Sequence, residues 1–411
     1  MKDIVRIGYI GCGRRGIGVL KGALVKDMPD TVIAALCDLH ADRMEKAAAI
    51  LEENGRPRPL MTTDYREILA DPTIDAVIIM TDWLSHMQLI EDCLIAGKPT
   101  GVEVGCTYDI EDCFHLIDVY ERTGTPLMML ENCCYTRREM VALNMERRGL
   151  LGEIVHCDGG YQHNLMDCEL FLDIENPVRH YRIENYTTHN CDQYPTHALG
   201  PIAKLLRINR GNRMVRLSSF ASKSRAIKEY TAERFPADSE FNQQEYIQGD
   251  IITTIITCAG GETIRLTLDT TLPRSHYSRD FTVRGTKGMI SEERKVVYLK
   301  GMPDKTADNE AEMFDQYDHP LYKKHAQLAD MPGHSGADWL VCRAFIESVK
   351  AGTNTPIDAY DTITWMAIAA LSEQSVQQNG APVDFPDFTH GKWQSREPIV
   401  ESIYCLDEII E

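Results

Sequence analysis

The sequence predicts an α/β unit followed by an α+β one: a doubly wound parallel sheet, then a mostly antiparallel open sheet. Three observations lead there. Up to about residue 135, short β-rich runs alternate with helical patterns. Beyond it the β-rich runs lengthen and are joined by hairpin-type turns, and two apolar helical runs close the chain. At roughly 150 residues per domain, 411 residues suggest two or three units. The change of rhythm divides them as residues 1–135 and 136–411.

The first unit reads "VRIGYI", "GIGVLKGAL", "VIAALCD", "DRMEKAAAILEENG", "AVIIM", "HMQLIEDCLIAG", "TGVEVG", "IEDCFHLIDVYERTG" and "PLMML". Strand and helix in alternation imply parallel strands with crossover helices. The second unit carries "EIVHCDGGY", "MVRLSSFAS", "DIITTIITCAGGETIRLTLDT", "DFTVRGTKGMISEE" and "KVVYLKG". Its "AGG" and "GTKG" have the glycines that hairpin turns demand. The closing runs, "GADWLVCRAFIESVKAG" and "AYDTITWMAIAALSEQSVQQNG", are apolar enough on one face to pack back on the body.

Composition excludes several classes of function. With 43% apolar and 26% charged residues, the chain is an ordinary globular one. A net charge of −19 argues against nucleic acid and anionic membranes as partners. No apolar stretch reaches the roughly 18 residues of a membrane span, and the N-terminus lacks signal-peptide features. The 13 cysteines are scattered without C-x-x-C pairs, and the adjacent Cys133 and Cys134 do not suit a disulfide framework. Reduced thiols in a cytoplasmic protein are the expectation. No metal site is expected, because no ligand spacing such as H-E-x-x-H occurs among the 13 histidines.

"VRIGYIGCGRRGIGVL" places Gly11, Gly13 and Gly16 as G-x-G-x-x-G after a strand and at the start of a helix. The first glycine permits the tight turn, the second a close approach of pyrophosphate, and the third close helix–strand packing. Arg14 and Arg15 lie between them and are candidate cofactor contacts. The second strand ends at Asp38, where a carboxylate would bind ribose hydroxyls and repel a 2′-phosphate. The first unit is therefore read as a Rossmann dinucleotide-binding domain that takes NAD in preference to NADP, with Arg43 close by as the contrary sign.

From here the chain resembles the Gfo/Idh/MocA oxidoreductases, which pair a Rossmann domain with an open antiparallel sheet. "TDWLSHMQLIEDCLIAGKPTGVEV" resembles that family's segment between the fourth and fifth strands. The resemblance places Thr81, Trp83, His86 and Glu103 on the cofactor. Where the family usually has Glu-Lys-Pro, this chain has Glu103, Val104 and Gly105. The lysine that assists hydroxyl oxidation is absent, which counts against a plain dehydrogenase. "PLMMLENCCYTRREM", "GEIVHCDGGYQHNL", "YPTHALGPIAKLLRINRGNRM" and "GHSGADWL" resemble the branch classed as glycoside hydrolase family 109. Its best-known activity is an α-N-acetylgalactosaminidase with bound NAD.

The resemblance implies catalytic roles for Tyr194 and His197 in Tyr-Pro-Thr-His, and for Tyr161 in Gly-Tyr-Gln-His. The family's Gly-His-Gly-Gly-Met-Asp appears as Gly333 to Asp338 with Ser335 and Ala337 as departures. His163, His334 and Asp338 are candidate sugar contacts. The implied reaction oxidises the sugar 3-hydroxyl, removes the carbon-2 proton, expels the aglycone, adds water and reduces the ketone again. His197, with a reference pKa of about 6.5, suits the hydroxyl proton in place of the missing lysine. Tyr194, near 10, suits the carbon-2 proton if a neighbour activates it. Tyr161 would meet the leaving group or the sugar.

Competing readings accompany each of these. Tyr194 and His197 would be polar residues at a helix start, with Thr196 as N-cap. His163 and His189 would be rim or structural groups, Asp338 a first-turn carboxylate, and Arg179, Arg182, Arg210 and Arg213 solvated or ion-paired. Two other functions compete with the glycosidase: an NAD-dependent sugar or glycoside 3-dehydrogenase, and a non-enzymatic NAD-binding sensor. The expected partners are a small glycoside or sugar and further copies of the chain, as a dimer or tetramer.

Overall fold

The computed structural model describes residues 2–172, 180–303, 306–328 and 334–410. Arg179 and Gly333 therefore lie outside the described residues. The first sheet has six strands: β1 (Val5–Ile10), β2 (Thr31–Cys37), β3 (Leu60–Thr62), β4 (Ala76–Ile79), β5 (Thr100–Val102) and β6 (Leu127–Met129). All pair in parallel in the order β3-β2-β1-β4-β5-β6. Their near-continuous apolar runs follow from burial on both faces. In this order the chain reverses direction across the sheet at β1, so a crevice opens beyond the carboxyl ends of β1 and β4. The glycine loop, Asp38, Thr81, Glu103 and Glu131 all follow directly on strand ends at this edge.

The second sheet has eight strands: β7 (Ile154–Gln162), β8 (Met214–Ala221), β9 (Ile251–Cys258), β10 (Thr263–Asp269), β11 (Thr282–Gly285), β12 (Gly288–Ser291), β13 (Val296–Leu299) and β14 (Val383–Asp384). They run in the order β13-β12-β11-β7-β10-β9-β8-β14, antiparallel except for the β7–β10 pair. The "AGG" and "GTKG" turns join β9 to β10 and β11 to β12 as expected. The two-residue β14 and three-residue β3 are too short for any alternation to announce them.

The chain's end completes both sheets. The helix Ser335–Ala351 packs on β1, and Ala359–Met366 on β6. The last run, expected as one helix, is two, with a break at Ala367 before Ile368–Gln377. The second half packs under β8, so the break lets neighbouring segments serve different sheets. One apolar core runs through both sheets, and a smaller aromatic cluster around Tyr161, Phe171 and Tyr186 lies beneath the crevice.

Candidate active site

A cleft of about 1680 Å³ runs from Asp38, Arg43 and Lys46 past the glycine loop to Tyr161, Tyr194 and His197. It exceeds the roughly 300–1,000 Å³ of a single-ligand pocket and suits a dinucleotide together with a sugar. Gly11 has φ +100°, and a Cβ there would lie 2.6 Å from the Met80 carbonyl. At Gly16 a Cβ would lie 2.2 Å from the Gly11 oxygen, so the loop closes on its own strand. At Gly13 a Cβ would meet only the Arg43 guanidinium, at 4.0 Å, leaving the backbone open to the cleft. Asp38 is fixed at the wall by the N–H of Cys12 at 2.7 Å and of His40 at 2.9 Å, with lone pairs to spare for ribose hydroxyls. These residues fit a dinucleotide.

At the other end, β7 and the helix Thr196–Leu205 approach so closely that a Cβ on Gly159 would fall 2.6 Å from Ala198 Cβ. Only glycine allows that contact, and it sets Tyr161 against the Tyr-Pro-Thr-His segment. The ring centroids of Tyr161 and Tyr194 are 4.2 Å apart. Tyr194 Oη lies 3.3 Å from His197 Nε2, and His197 Nδ1 lies 2.8 Å from Glu131 Oε1. A carboxylate at Nδ1 favours the tautomer protonated there, which leaves Nε2 to accept from the tyrosine. Burial pushes the Glu131 carboxyl up, but His197 and its hydrogen bonds prevail and hold it below its ordinary value. Burial pushes both the Tyr194 and Tyr161 phenols up. Tyr161 Oη also lies 3.2 Å from His163 Nδ1. The helix N-cap is Pro195, with Thr196 the first helical residue and no side-chain cap, contrary to the capping role expected of Thr196.

Other candidates fall differently. Arg14, Arg15, Thr81, Trp83, Glu103, His163 and His334 line the cleft. His86 is fully buried and off the wall; its Nε2 lies 3.2 Å from the Thr81 carbonyl, so it holds the loop rather than facing a cofactor. Asp338, expected on the sugar, is also off the wall. Its two oxygens accept from Arg15 Nη1 and Nη2, both at 2.8 Å, and Asn132 Nδ2 donates to it at 2.7 Å. Arg15 Nε reaches Glu103 Oε2 at 2.9 Å, so one guanidinium ties the glycine loop to both carboxylates. His189 sits against Glu373 and stacks on Tyr108, and it is not on the cleft wall. Arg210 is buried among Asp358, Asp361 and Asp407, a structural ion cluster.

Four residues given no role from the sequence belong to the site. Glu131 pairs with His197, and Asn132 is on the cleft wall. Arg182 is buried, 3.2 Å from Glu169 and against the rings of Trp83 and Tyr194. Tyr277 lines the cleft with a buried hydroxyl. The signal for Glu131 was its place just past a parallel strand, where crevice residues gather. Among the described residues one group, Glu131, Cys133 and His197, brings metal-ligand-type atoms within 4.8 Å of one another. Burial holds the Cys133 thiol well above its ordinary value, and His197 Nδ1 already faces Glu131, so the set is an acid–imidazole pair beside an inert thiol.

Comparison with known proteins agrees with this geometry. Residues 5–131 match the oxidoreductase family with an NAD-binding Rossmann fold, and residues 135–395 match the C-terminal domain of glycosyl hydrolase 109. A glycosyl hydrolase family 109 protein of Stenotrophomonas maltophilia is 37% identical over 417 residues, covering 96% of this chain and 91% of that protein. An α-N-acetylgalactosaminidase of Tannerella forsythia is 36% identical, covering 96% and 88%. In fold the chain is similar to a levoglucosan dehydrogenase solved with NADH and levoglucosan, at TM-score 0.71 and 17% identity, covering 93% of this chain and all of that one. A myo-inositol dehydrogenase described as putative, from Sinorhizobium meliloti, gives 0.65 and 19%, covering 93% of this chain and all of that one. An NAD-binding Rossmann domain joined to this second sheet, over nearly the whole length of such relatives, has one meaning: the chain belongs to glycosyl hydrolase family 109.

Proposed function

We propose that this chain is an NAD-dependent glycosidase that cleaves terminal N-acetylgalactosaminides, by oxidation, elimination, hydration and reduction on one sugar. One observation carries this reading: the line Glu131–His197–Tyr194 opens into the same cleft as the glycine loop and Asp38. Direct displacement needs two free carboxylates flanking the bond, and NAD-dependent families are the known exception. Of the carboxylates that line the cleft, Glu103 and Glu169 are each held by an arginine, and Asp38 sits at the far end beside the glycine loop.

Bound NAD supplies the two-electron acceptor and donor for carbon 3. His197, oriented by Glu131, takes the 3-hydroxyl proton through Nε2. With carbon 3 at the carbonyl level, the carbon-2 proton is acidic, and Tyr194 takes it as the tyrosinate, its own phenolic proton having passed to solvent before the sugar reacts. The electron pair moves into the carbon 1–carbon 2 bond and expels the aglycone oxygen, which Tyr161, with His163 behind it, is placed to protonate. Water then adds at carbon 1 and gives up a proton that restores Tyr161. Tyr194 returns its proton to carbon 2, and His197 gives its proton back to the carbon-3 oxygen as carbon 3 is reduced again. Each positioned group contributes about 10²–10⁴-fold. A 3-dehydrogenase would use the same cleft, yet buried Val104 stands where the dehydrogenases have lysine.

We place the reaction in the cytoplasm, since all 13 cysteines are free. Among the described residues no helix is long and apolar enough to cross a membrane. We further propose a homo-oligomer formed through the open face of the second sheet, where Phe220 and Ile255 are exposed; light scattering tests it. The function is tested with a panel of nitrophenyl glycosides, following aglycone release and NADH absorbance together. Aglycone release without NADH build-up is expected; NADH in proportion to an intact 3-oxo-glycoside would establish the dehydrogenase.

A further inference from the structure

The reaction above asks a buried phenol to act as a base, and burial opposes that. The groups facing Tyr194 make matters worse: Tyr161, Glu103 and Glu131 all disfavour a second negative charge there. His197 Nε2 faces its hydroxyl at 3.3 Å. Two cations approach. Arg15 is committed to Glu103 and Asp338. Arg182 is the other, and its geometry is specific. Its guanidinium carbon lies 4.9 Å from the Tyr194 ring centroid and 4.9 Å from that of Trp83. Nε donates to Tyr181 Oη at 3.4 Å. Nη1 lies 3.2 Å from Glu169 Oε2, and His180 Nε2 lies 3.6 Å from the same oxygen. Tyr181 in turn meets Trp83 edge-on, with centroids 5.2 Å apart. The residue is 7% exposed. It is held against the ring face on several sides.

A phenolate spreads its charge into the ring, so a cation over the face gains far more from the ionised form than from the neutral one. We propose that Arg182 is a positioning residue for Tyr194: held on the ring by Glu169 and Trp83, it favours the tyrosinate that takes the carbon-2 proton. The inference rests on the elimination chemistry proposed above. In that step the carbon 2–hydrogen bond breaks as the tyrosine O–H bond forms, and the bond from carbon 1 to the aglycone breaks with its electron pair leaving on oxygen. An opposite charge at about 4–6 Å moves such an equilibrium by about 1–3 pH units, or ten- to a thousandfold in ionised fraction.

The experiment is an ultraviolet difference titration of tyrosinate in the NAD-loaded enzyme, with Y194F subtracted to isolate Tyr194, alongside the pH profile of hydrogen exchange at carbon 2. In R182Q the Tyr194 titration and the rising limb of exchange should both move to higher pH by about one unit or more. NAD content should stay unchanged, and R182K, which keeps the charge without the planar stack, should recover part of the shift. If R182Q does not fold, R182K alone must raise the Tyr194 titration. An unmoved titration, with only the sugar KM raised, overturns the proposal and leaves Arg182 a plain sugar contact. A moved titration in an enzyme whose wild type exchanges no hydrogen at carbon 2 keeps the Arg182–Tyr194 coupling and removes the elimination reading instead.

Discussion

Glu131 and His197 face each other at 2.8 Å just beyond β6, the carboxylate fully buried and the imidazole opening on the cleft. The acid fixes which ring nitrogen keeps its proton. Glu131→Gln is nearly isosteric but neutral, and its amide can present a donor to Nδ1 and favour the wrong tautomer. We expect kcat to fall by about 10²-fold or more with NAD content unchanged. Near-normal turnover would make the pair structural.

We expect Asp38 to set the cofactor preference. Removing it in Asp38→Ala loses charge-assisted hydrogen bonds to ribose, worth about 1.5–3 kcal/mol. The preference for NAD over NADP should narrow by about tenfold or more in a binding titration. An unchanged ratio would show that Asp38 does not carry the discrimination.

Asp338 grips Arg15 with both oxygens. Asp338→Asn leaves both terminal nitrogens of the guanidinium without their anionic partner at the glycine loop. NAD should be lost faster during gel filtration, and Tm should drop by a few degrees. The sugar KM should be essentially unchanged. A raised KM with NAD fully retained would return Asp338 to the substrate.

Asp192 gives a pH signature. It is 1% exposed, and burial, outweighing hydrogen bonds from the Tyr194 backbone and Thr254, pushes its carboxyl up to about 7. The folded chain thus holds a proton that the unfolded chain releases near 4. Between those values the native state binds more protons, so stability declines as pH rises, and above about 7 the penalty is complete. Asp192→Asn keeps the neutral form at every pH. Its Tm should match wild type near pH 4 and exceed it by a few degrees at pH 8.

The fold was legible because parallel strands buried on both faces write continuous apolar runs, and hairpins write their glycines. The cofactor end was equally open, since Gly11, Gly13, Gly16 and Asp38 sit within one βαβ unit. The end proposed as catalytic was legible only in part. Tyr194 and His197 lie in one turn, but their partner Glu131 is 66 positions away from His197, and only the sheet brings it near. Arg182 reads as a loop cation until the rings of Trp83 and Tyr194, from two different units, close around it. Asp338 and His86 mislead for the converse reason. Polar residues in the right segment, they turn aside from the cleft: Asp338 gives both oxygens to Arg15, and His86 turns Nε2 to the Thr81 carbonyl.

The central claim is that bond cleavage proceeds by elimination across carbons 1 and 2, with the carbon-3 hydride returned to the same sugar. The most direct measurement is turnover of an aryl N-acetylgalactosaminide in heavy water, with the released sugar analysed by proton resonance and NADH followed by absorbance. Because the carbon-2 proton passes through Tyr194 and exchanges with solvent, the product should carry deuterium at carbon 2, and NADH should not accumulate. Released sugar that keeps its original hydrogen at carbon 2 would contradict the account.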